Sequence, residues 1–176
     1  QEVFNQIKMI IGDSWFEGET CLSAVVGESL VTNEKTIGTI ESCTGGFIAS
    51  KLTEIPGSSA YFKGSLLTYA YETKVSLAKI DQNLLNEVGA VSKEVCEMMA
   101  KNAQNILEVD YCISSTGIAG PGGGTNEKPV GLVFIGLAKP DGSVMVKKCQ
   151  FYGTRQQIVE RTSNKALDML RKAIKS

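Results

Sequence analysis

Residues 36–52 read TIGTIESCTGGFIASKL, and this stretch decides the fold class. Its first five residues are rich in β-branched side chains and predict a strand. A tight turn follows at residues 42–46, and apolar residues at helical spacing from Phe47 onward predict a helix that ends at Pro56-Gly57. A strand that passes through a tight turn into a helix is the repeating unit of α/β folds, so this stretch predicts an α/β domain.

The rest of the chain continues this alternation. Helices are predicted at 22–33, 47–55, 72–79, 92–107 and 154–176, and strands at 36–40, 65–69, 111–115, 130–138 and 144–152. The last two strands are separated by KPDGS at residues 139–143, a turn sequence that favours an antiparallel hairpin. We therefore predict a three-layer α/β/α fold with a mixed sheet that includes a C-terminal antiparallel hairpin.

The first residues of the chain differ from the remainder. A short helical pattern ends near residue 12, and the stretch after it contains Trp15, the one tryptophan of the chain. We interpret residues 1–19 as an N-terminal arm or a residual interdomain linker, and residues 20–176 as one domain. Because the apolar arm around Trp15 and Phe16 offers a surface to a neighbouring copy, we expect a homo-oligomer.

Composition excludes several classes of function. The chain has 176 residues, 18 basic and 19 acidic, and a net charge of −1, which is unfavourable for binding a nucleic-acid backbone. No apolar run approaches the roughly 20 residues that cross a bilayer, so no membrane association is expected. The absence of histidine excludes Ser-His-Asp catalysis and imidazole metal sites. Five cysteines without a CxxC motif indicate reduced thiols and a cytoplasmic location.

Two glycine-rich turns, at 42–46 and 116–125, follow predicted strands. At such positions in α/β sheets, backbone N–H groups and helix dipoles face a ligand. Neither turn contains a Walker or GxGxxG motif, so the spacing of the glycines does not identify the ligand. For the first turn two interpretations stay open: Ser42 is a nucleophile, or Ser42 and Thr44 cap the following helix. Cys43 is the rival nucleophile, although without a histidine partner it is more typical of a packed small residue.

Two cationic side-chain types complete the candidate site. Arg155 lies in the first turn of the last helix, which Thr154 and Gln157 open as a capping box. A cation there opposes the helix dipole unless an anion shares the site, and the alternative is an exposed arginine in water. A base for serine must be a lysine whose pKa is lowered by burial or by a nearby cation. The residues alone do not choose between Lys63 and Lys74.

Four motifs carry a family resemblance. They are ESCTGG at 41–46, PGSS at 56–59, Thr68-Tyr69 with Glu72 and Lys74, and GIAGPGGGT continuing to KPVGLV over 117–133. In this order and spacing they resemble the C-terminal domain of the CinA (competence/damage-inducible protein) family. The resemblance covers the chain from about residue 20 to its end.

This resemblance implies a nicotinamide-nucleotide amidase, which converts nicotinamide mononucleotide to nicotinate mononucleotide and ammonia in pyridine-nucleotide salvage. It implies no cofactor and no metal. Ser42 would be the nucleophile, Lys74 its base and Tyr69 a hydrogen-bonding partner. The residues predicted to bind substrate are Thr44, Gly45, Gly46, Thr116, Gly117, Gly120 and Arg155.

The chain departs from the family pattern at one place, and an alternative function stays open. The family usually has Ser-Asn where this chain has Ala70-Tyr71, which predicts a change in substrate preference or rate. In longer relatives an N-terminal nucleotide-pyrophosphatase domain precedes this one, and the arm at 1–19 looks like its trailing link. The alternative function is a non-catalytic nucleotide-binding or regulatory module in competence or DNA-damage responses, which would release no ammonia from the nucleotide.

Overall fold

The computed structural model describes residues 20–175, together with Gln6 and Met9. Apart from those two residues, the arm predicted at 1–19 lies outside the described part. The strands are β1 (Ile37–Glu41), β2 (Phe62–Leu67), β3 (Tyr111–Gly117), β4 (Leu132–Ala138) and β5 (Val144–Gln150). The helices are α1 (Leu22–Thr32), α2 (Phe47–Thr53), α3 (Tyr71–Ser76), α4 (Gln82–Val88), α5 (Lys93–Leu107) and α6 (Arg155–Lys175), with a 3-10 turn at Ser58–Ala60.

The five strands form one mixed sheet in the order β2-β1-β3-β4-β5. Strand β1 pairs in parallel with both β2 and β3, whereas β4 is antiparallel to β3 and to β5. The β4–β5 hairpin closes through the predicted turn, where Lys139 N–H donates to the carbonyl of Ser143 at 2.9 Å. The prediction of a mixed sheet with a C-terminal antiparallel hairpin is confirmed.

Helices cover both faces of this sheet. Helices α1, α2 and α6 pack against one face around a core that includes Ile37 and Ile113, and α3, α4 and α5 enclose a second core around Ile40 and Met99. Because side chains alternate along a strand, Ile37 and Ile40 of β1 reach opposite faces. All five residues of β1 are buried, as expected for a parallel strand at the centre of a sheet. The three-layer α/β/α prediction is confirmed.

Several element bounds differ from the sequence prediction by one to three residues, and one helix was not predicted. Strand β2 begins at Phe62, three residues before the predicted start. Helix α4 was not predicted, although Asp81 caps it by accepting a hydrogen bond from Asn83 N–H at 2.7 Å and Gly89 ends it, which are ordinary helix signals. None of the helices in residues 20–175 has the length and apolar character needed to cross a membrane.

Candidate active site

The turn after β1 is the centre of the candidate site, at the edge where the parallel strands β1 and β3 both end. Gly45 and Gly46 have φ angles of 61° and 95°, a left-handed backbone that glycine adopts without strain. These two residues let the chain pass from β1 into α2 within one short turn. The N–H of Ser42 donates to the carbonyl of Ser115 at 3.0 Å, which fixes the start of the turn against β3.

Glu41, the last residue of β1, organises this turn. Its carboxylate is fully buried and accepts hydrogen bonds from the N–H groups of Gly46, Ile48 and Ala49 at 3.1, 3.1 and 2.8 Å. It also accepts one from the Thr44 hydroxyl at 2.6 Å. A negative charge at a helix N-terminus satisfies N–H groups that lack partners within the helix. Glu41 therefore provides the cap of α2.

Sequence analysis gave Glu41 no role, although an acidic residue at the end of a buried strand and before a helix is the signal that could have identified it. Its position bears on the capping interpretation of the turn. Thr44 belongs to the capping network, because its hydroxyl donates to Glu41. The same hydroxyl also contacts Ser115 Oγ at 2.7 Å. Ser42 does not cap α2, so its hydroxyl is available for another contact.

That contact is with Lys74 on α3. The Lys74 amine Nζ lies 3.0 Å from Ser42 Oγ and donates to the carbonyl of Thr68 at 2.6 Å. Lys74 is 1% exposed and Ser42 is 8% exposed. Burial lowers the pKa of Lys74 below the ordinary value of 10.5, an effect that the nearby Cys43 opposes. A neutral amine in this position is able to accept the serine proton, whereas Lys63, the other candidate base, is exposed on β2.

Burial makes Cys43 a poor nucleophile at neutral pH. Its side chain is buried in the core beside α2, and burial raises the pKa of the Cys43 thiol to about 12. Only the thiolate is strongly nucleophilic. The thiol is therefore a packed small residue, as its sequence context indicated.

The N–H groups of the turn divide into two sets. Those of Ser42, Gly45 and Gly46 donate to Ser115, to the carbonyl of Ser42 and to Glu41. Those of Cys43 and Thr44 have no acceptor from another residue within the described part of the chain. The second set lies directly after Ser42 in the chain.

The Ser42–Lys74 pair faces a cleft of about 200 Å³. Six of the ten predicted site residues line it: Ser42, Tyr69, Lys74, Thr116, Gly117 and Arg155. Arg155, on α6, donates from Nη1 to the carbonyl of Gly120 at 2.9 Å and from Nη2 to the Tyr69 hydroxyl at 2.7 Å. The cleft thus brings together residues from the turn after β1, from β3, α3 and α6, and from the glycine-rich loop.

The other four predicted site residues do not line the cleft: Thr44, Gly45, Gly46 and Gly120. The first three form the turn or its capping network. At Gly120, whose φ is 76°, an added Cβ would lie 2.6 Å from the Val130 side chain, and its carbonyl orients Arg155. Thr116 does line the cleft, but its hydroxyl donates to the carbonyl of Ala90 at 2.7 Å.

Sequence analysis did not include Tyr71 among the site residues. Its ring lines the cleft, and its hydroxyl accepts a hydrogen bond from Ala90 N–H at 3.2 Å. The available signal was spacing, because Tyr71 precedes Lys74 by three residues on one helix and therefore shares its face. Within residues 20–175, no group of three cysteine or acidic side chains is arranged to hold a metal ion.

Fold and site together define a class of three-layer α/β domain in which a serine after a central strand contacts a buried lysine. The chain belongs to the CinA C-terminal domain family, whose family model matches residues 19–174. It is 48% identical to a CinA-like protein of Endomicrobium trichonymphae over 90% of this chain and 37% of that protein. It is 45% identical to a putative competence-damage inducible protein of Halothermothrix orenii over 89% of this chain and 38% of that protein.

Solved structures agree with this assignment. The competence/damage inducible protein CihA from Agrobacterium tumefaciens is 34% identical, with a TM-score of 0.82 over 92% of this chain and 100% of that one. A CinA superfamily protein from Klebsiella pneumoniae is 25% identical, with a TM-score of 0.84 over 88% of this chain and 96% of that one. The chain spans less than two fifths of the length of the two curated relatives named above.

Proposed function

We propose that this chain is an amidase that hydrolyses nicotinamide mononucleotide to nicotinate mononucleotide and ammonia through Ser42 and Lys74. The observation that carries the proposal is the 3.0 Å contact between a buried lysine amine and a serine hydroxyl, in a chain that has no histidine. The substrate is taken from the family resemblance. The cleft supports it with a cationic group, Arg155, and an aromatic hydroxyl, Tyr69, beside the nucleophile.

In the first step, the neutral Lys74 amine takes the proton of Ser42 as Oγ bonds to the carboxamide carbon. The carbonyl oxygen becomes an oxyanion, for which Cys43, which lines the cleft beside Ser42, supplies an N–H donor. One such donor contributes about 3 kcal/mol to transition-state stability. Glu41 keeps this donor in place because it holds the rest of the turn.

In the second step, the carbon–nitrogen bond breaks and Lys74 returns the proton to the leaving nitrogen, so that ammonia departs and an ester remains on Ser42. Water then attacks the ester carbon and gives a proton to Lys74. The ester bond breaks, Ser42 recovers its proton from Lys74, and the nicotinate product loses its acidic proton to solvent. One lysine thus serves as base and acid in both halves of the reaction.

Arg155 supports binding of the phosphate. It lies in the first turn of α6, where the helix dipole disfavours a cation unless an anion is close. A guanidinium has five N–H donors, and the contacts with Gly120 and Tyr69 run from Nη1 and Nη2. A phosphate at this side of the cleft would offset the unfavourable dipole and orient the nucleotide.

The test is Ser42→Ala, assayed for ammonia release from nicotinamide mononucleotide and for binding of the nucleotide. We expect turnover to fall by at least about 10³-fold, while the Kd stays within about threefold. Ser76→Ala is the matched control, because Ser76 is an exposed serine on the helix of Lys74. Undiminished turnover in Ser42→Ala would reject the assignment. Binding without ammonia release by the unsubstituted chain would favour the non-catalytic module instead.

A cytoplasmic location belongs to this proposal. All five cysteines are free thiols, which is usual in reducing compartments. The homo-oligomer and the upstream pyrophosphatase domain stay predictions.

A further inference from the structure

Tyr71 is the first residue of α3 and lies on the same side of that helix as Lys74. The two side chains differ in depth, because Lys74 is buried and Tyr71 is 48% exposed. Helical side chains point back toward the N-terminus of their helix. The Tyr71 side chain is therefore nearer to solvent than the Lys74 amine, and both residues line the cleft.

The Tyr71 ring is fixed at both ends. Its backbone belongs to α3, and its hydroxyl accepts the hydrogen bond from Ala90 N–H at 3.2 Å. The carbonyl of Ala90 is held in turn by the Thr116 hydroxyl at 2.7 Å. The ring therefore bridges α3 and the segment after α4, and that segment is tied to β3.

A ring held in this way is preorganised for binding. An anchored side chain loses little rotamer freedom when a ligand packs on it, so more of the contact energy contributes to affinity. A half-exposed ring in the lining of a cleft also gives a planar ligand a surface for stacking.

We infer that Tyr71 determines the class of amide that the cleft accepts: its anchored ring forms an aromatic wall that stacks on the planar ring of an aromatic carboxamide. The inference rests on the proposed amidase function and assigns the selection of the ring, as distinct from the ribose phosphate, to this side chain. Stacking of a heteroaromatic ring on an aromatic side chain changes affinity by about tenfold or more.

The experiment measures binding, so that it does not depend on turnover. In the Ser42→Ala background, which does not consume the ligand, calorimetry gives the Kd of nicotinamide mononucleotide. Competition gives the Kd of ribose 5-phosphate, which lacks the ring. Tyr71→Leu removes the aromatic wall, and Tyr71→Phe keeps the ring but removes its hydroxyl. Tyr152→Leu is the matched control, because Tyr152 is 74% exposed and does not line the cleft.

We expect Tyr71→Leu to weaken binding of nicotinamide mononucleotide by about tenfold or more while ribose 5-phosphate changes by less than about twofold. Tyr71→Phe should lose less than Tyr71→Leu, and Tyr152→Leu should leave both ligands unaffected. Equal loss for the two ligands, or no loss for the nucleotide, would overturn the inference and leave the amidase proposal standing. Failure of Ser42→Ala alone to bind the nucleotide would overturn both.

Discussion

Strands β1 and β3 begin at one edge of the sheet and end at the opposite one. These two edges contain different polar clusters. At the edge where they end, the buried Lys74 amine meets the Ser42 hydroxyl in a cleft of about 200 Å³. At the edge where they begin, Asp110 accepts hydrogen bonds from Thr36 and Lys35 beside a larger cleft of about 600 Å³. The larger cleft is therefore not the one that contains the Ser–Lys pair.

The two clusters differ in whether the charged side chain has a partner of opposite charge. Burial alone would raise the pKa of Asp110, but hydrogen bonds from Thr36 and the ion pair with Lys35 outweigh burial and lower it. That cluster joins the starts of two strands and is stable as an ion pair. Lys74 forms no salt bridge within the described residues, and burial lowers its pKa. A buried amine without a carboxylate partner identifies a candidate site better than cavity volume does.

The largest expected effect separates the two edges by activity. Lys74→Met keeps the length and packing of the side chain but removes the amine. We expect ammonia release from nicotinamide mononucleotide to fall by about 10³-fold or more, because Lys74 is the one basic side chain that contacts the Ser42 hydroxyl in the described part of the chain. Lys35→Met, at the opposite edge, is the matched control and should retain activity within about twofold. A Lys74→Met enzyme with more than a tenth of the original kcat would contradict the Ser–Lys mechanism.

The pH dependence of the rate tests the role of the unpaired Lys74 amine. The reaction needs neutral Lys74, so kcat/KM should fall as pH falls through the lowered pKa of this amine. Below that pKa kcat/KM is expected to fall about tenfold per pH unit, because one proton must leave Lys74 to give the active neutral amine. Steady-state rates from pH 5 to 9 measure it. A kcat/KM that rises toward acid pH would exclude a neutral lysine base.

A substitution of Glu41, at the edge where β1 and β3 end, is expected to have a smaller effect on activity. Glu41→Gln places an amide NH₂ among donors that now point at a carboxylate, and we expect the free energy of unfolding to fall by about 2 kcal/mol. Activity should fall by about tenfold, because the turn that positions Ser42 loosens. Urea denaturation and ammonia release measure the two effects. Unchanged stability would show that the hydrogen bonds from Gly46, Ile48 and Ala49 contribute little.

The fold could be predicted because its signals are local. The strand-turn-helix at 36–52 and the hairpin turn at 139–143 specify their own conformations, and both lie where the sequence placed them. Helix α4 was missed because its apolar pattern spans only seven residues, too few for periodicity to separate a helix from a loop. Strand β2 is an edge strand whose residues alternate between half-buried and exposed. Its sequence pattern therefore marks its start less clearly than that of a fully buried strand.

The candidate site was predictable in part. Family spacing indicated Ser42 and Lys74, which the fold brings to 3.0 Å although 32 residues separate them. The residues could not choose Lys74 over Lys63, because the burial that lowers a lysine pKa depends on the packing of α3. For Glu41 the acidic residue before a helix is a signal, but the residues do not show which N–H groups it binds, since that cap spans from residue 41 to Ala49 through a turn with left-handed backbone.

The smallest expected effect is at the edge where the strands begin. Asp110→Asn removes the negative charge but keeps the shape, and the side chain is 29% exposed. We expect the free energy of unfolding at pH 7 to fall by about 1 kcal/mol, with ammonia release unchanged. Because the folded-state pKa of Asp110 is lowered, its contribution is present above the unfolded value near 3.8 and is lost as pH falls through the folded value. Urea midpoints of Asp110→Asn and the parent should therefore differ at pH 7, and this difference should shrink only at pH values well below 3.8. Loss of activity in Asp110→Asn would mean that the larger cleft also takes part in the reaction.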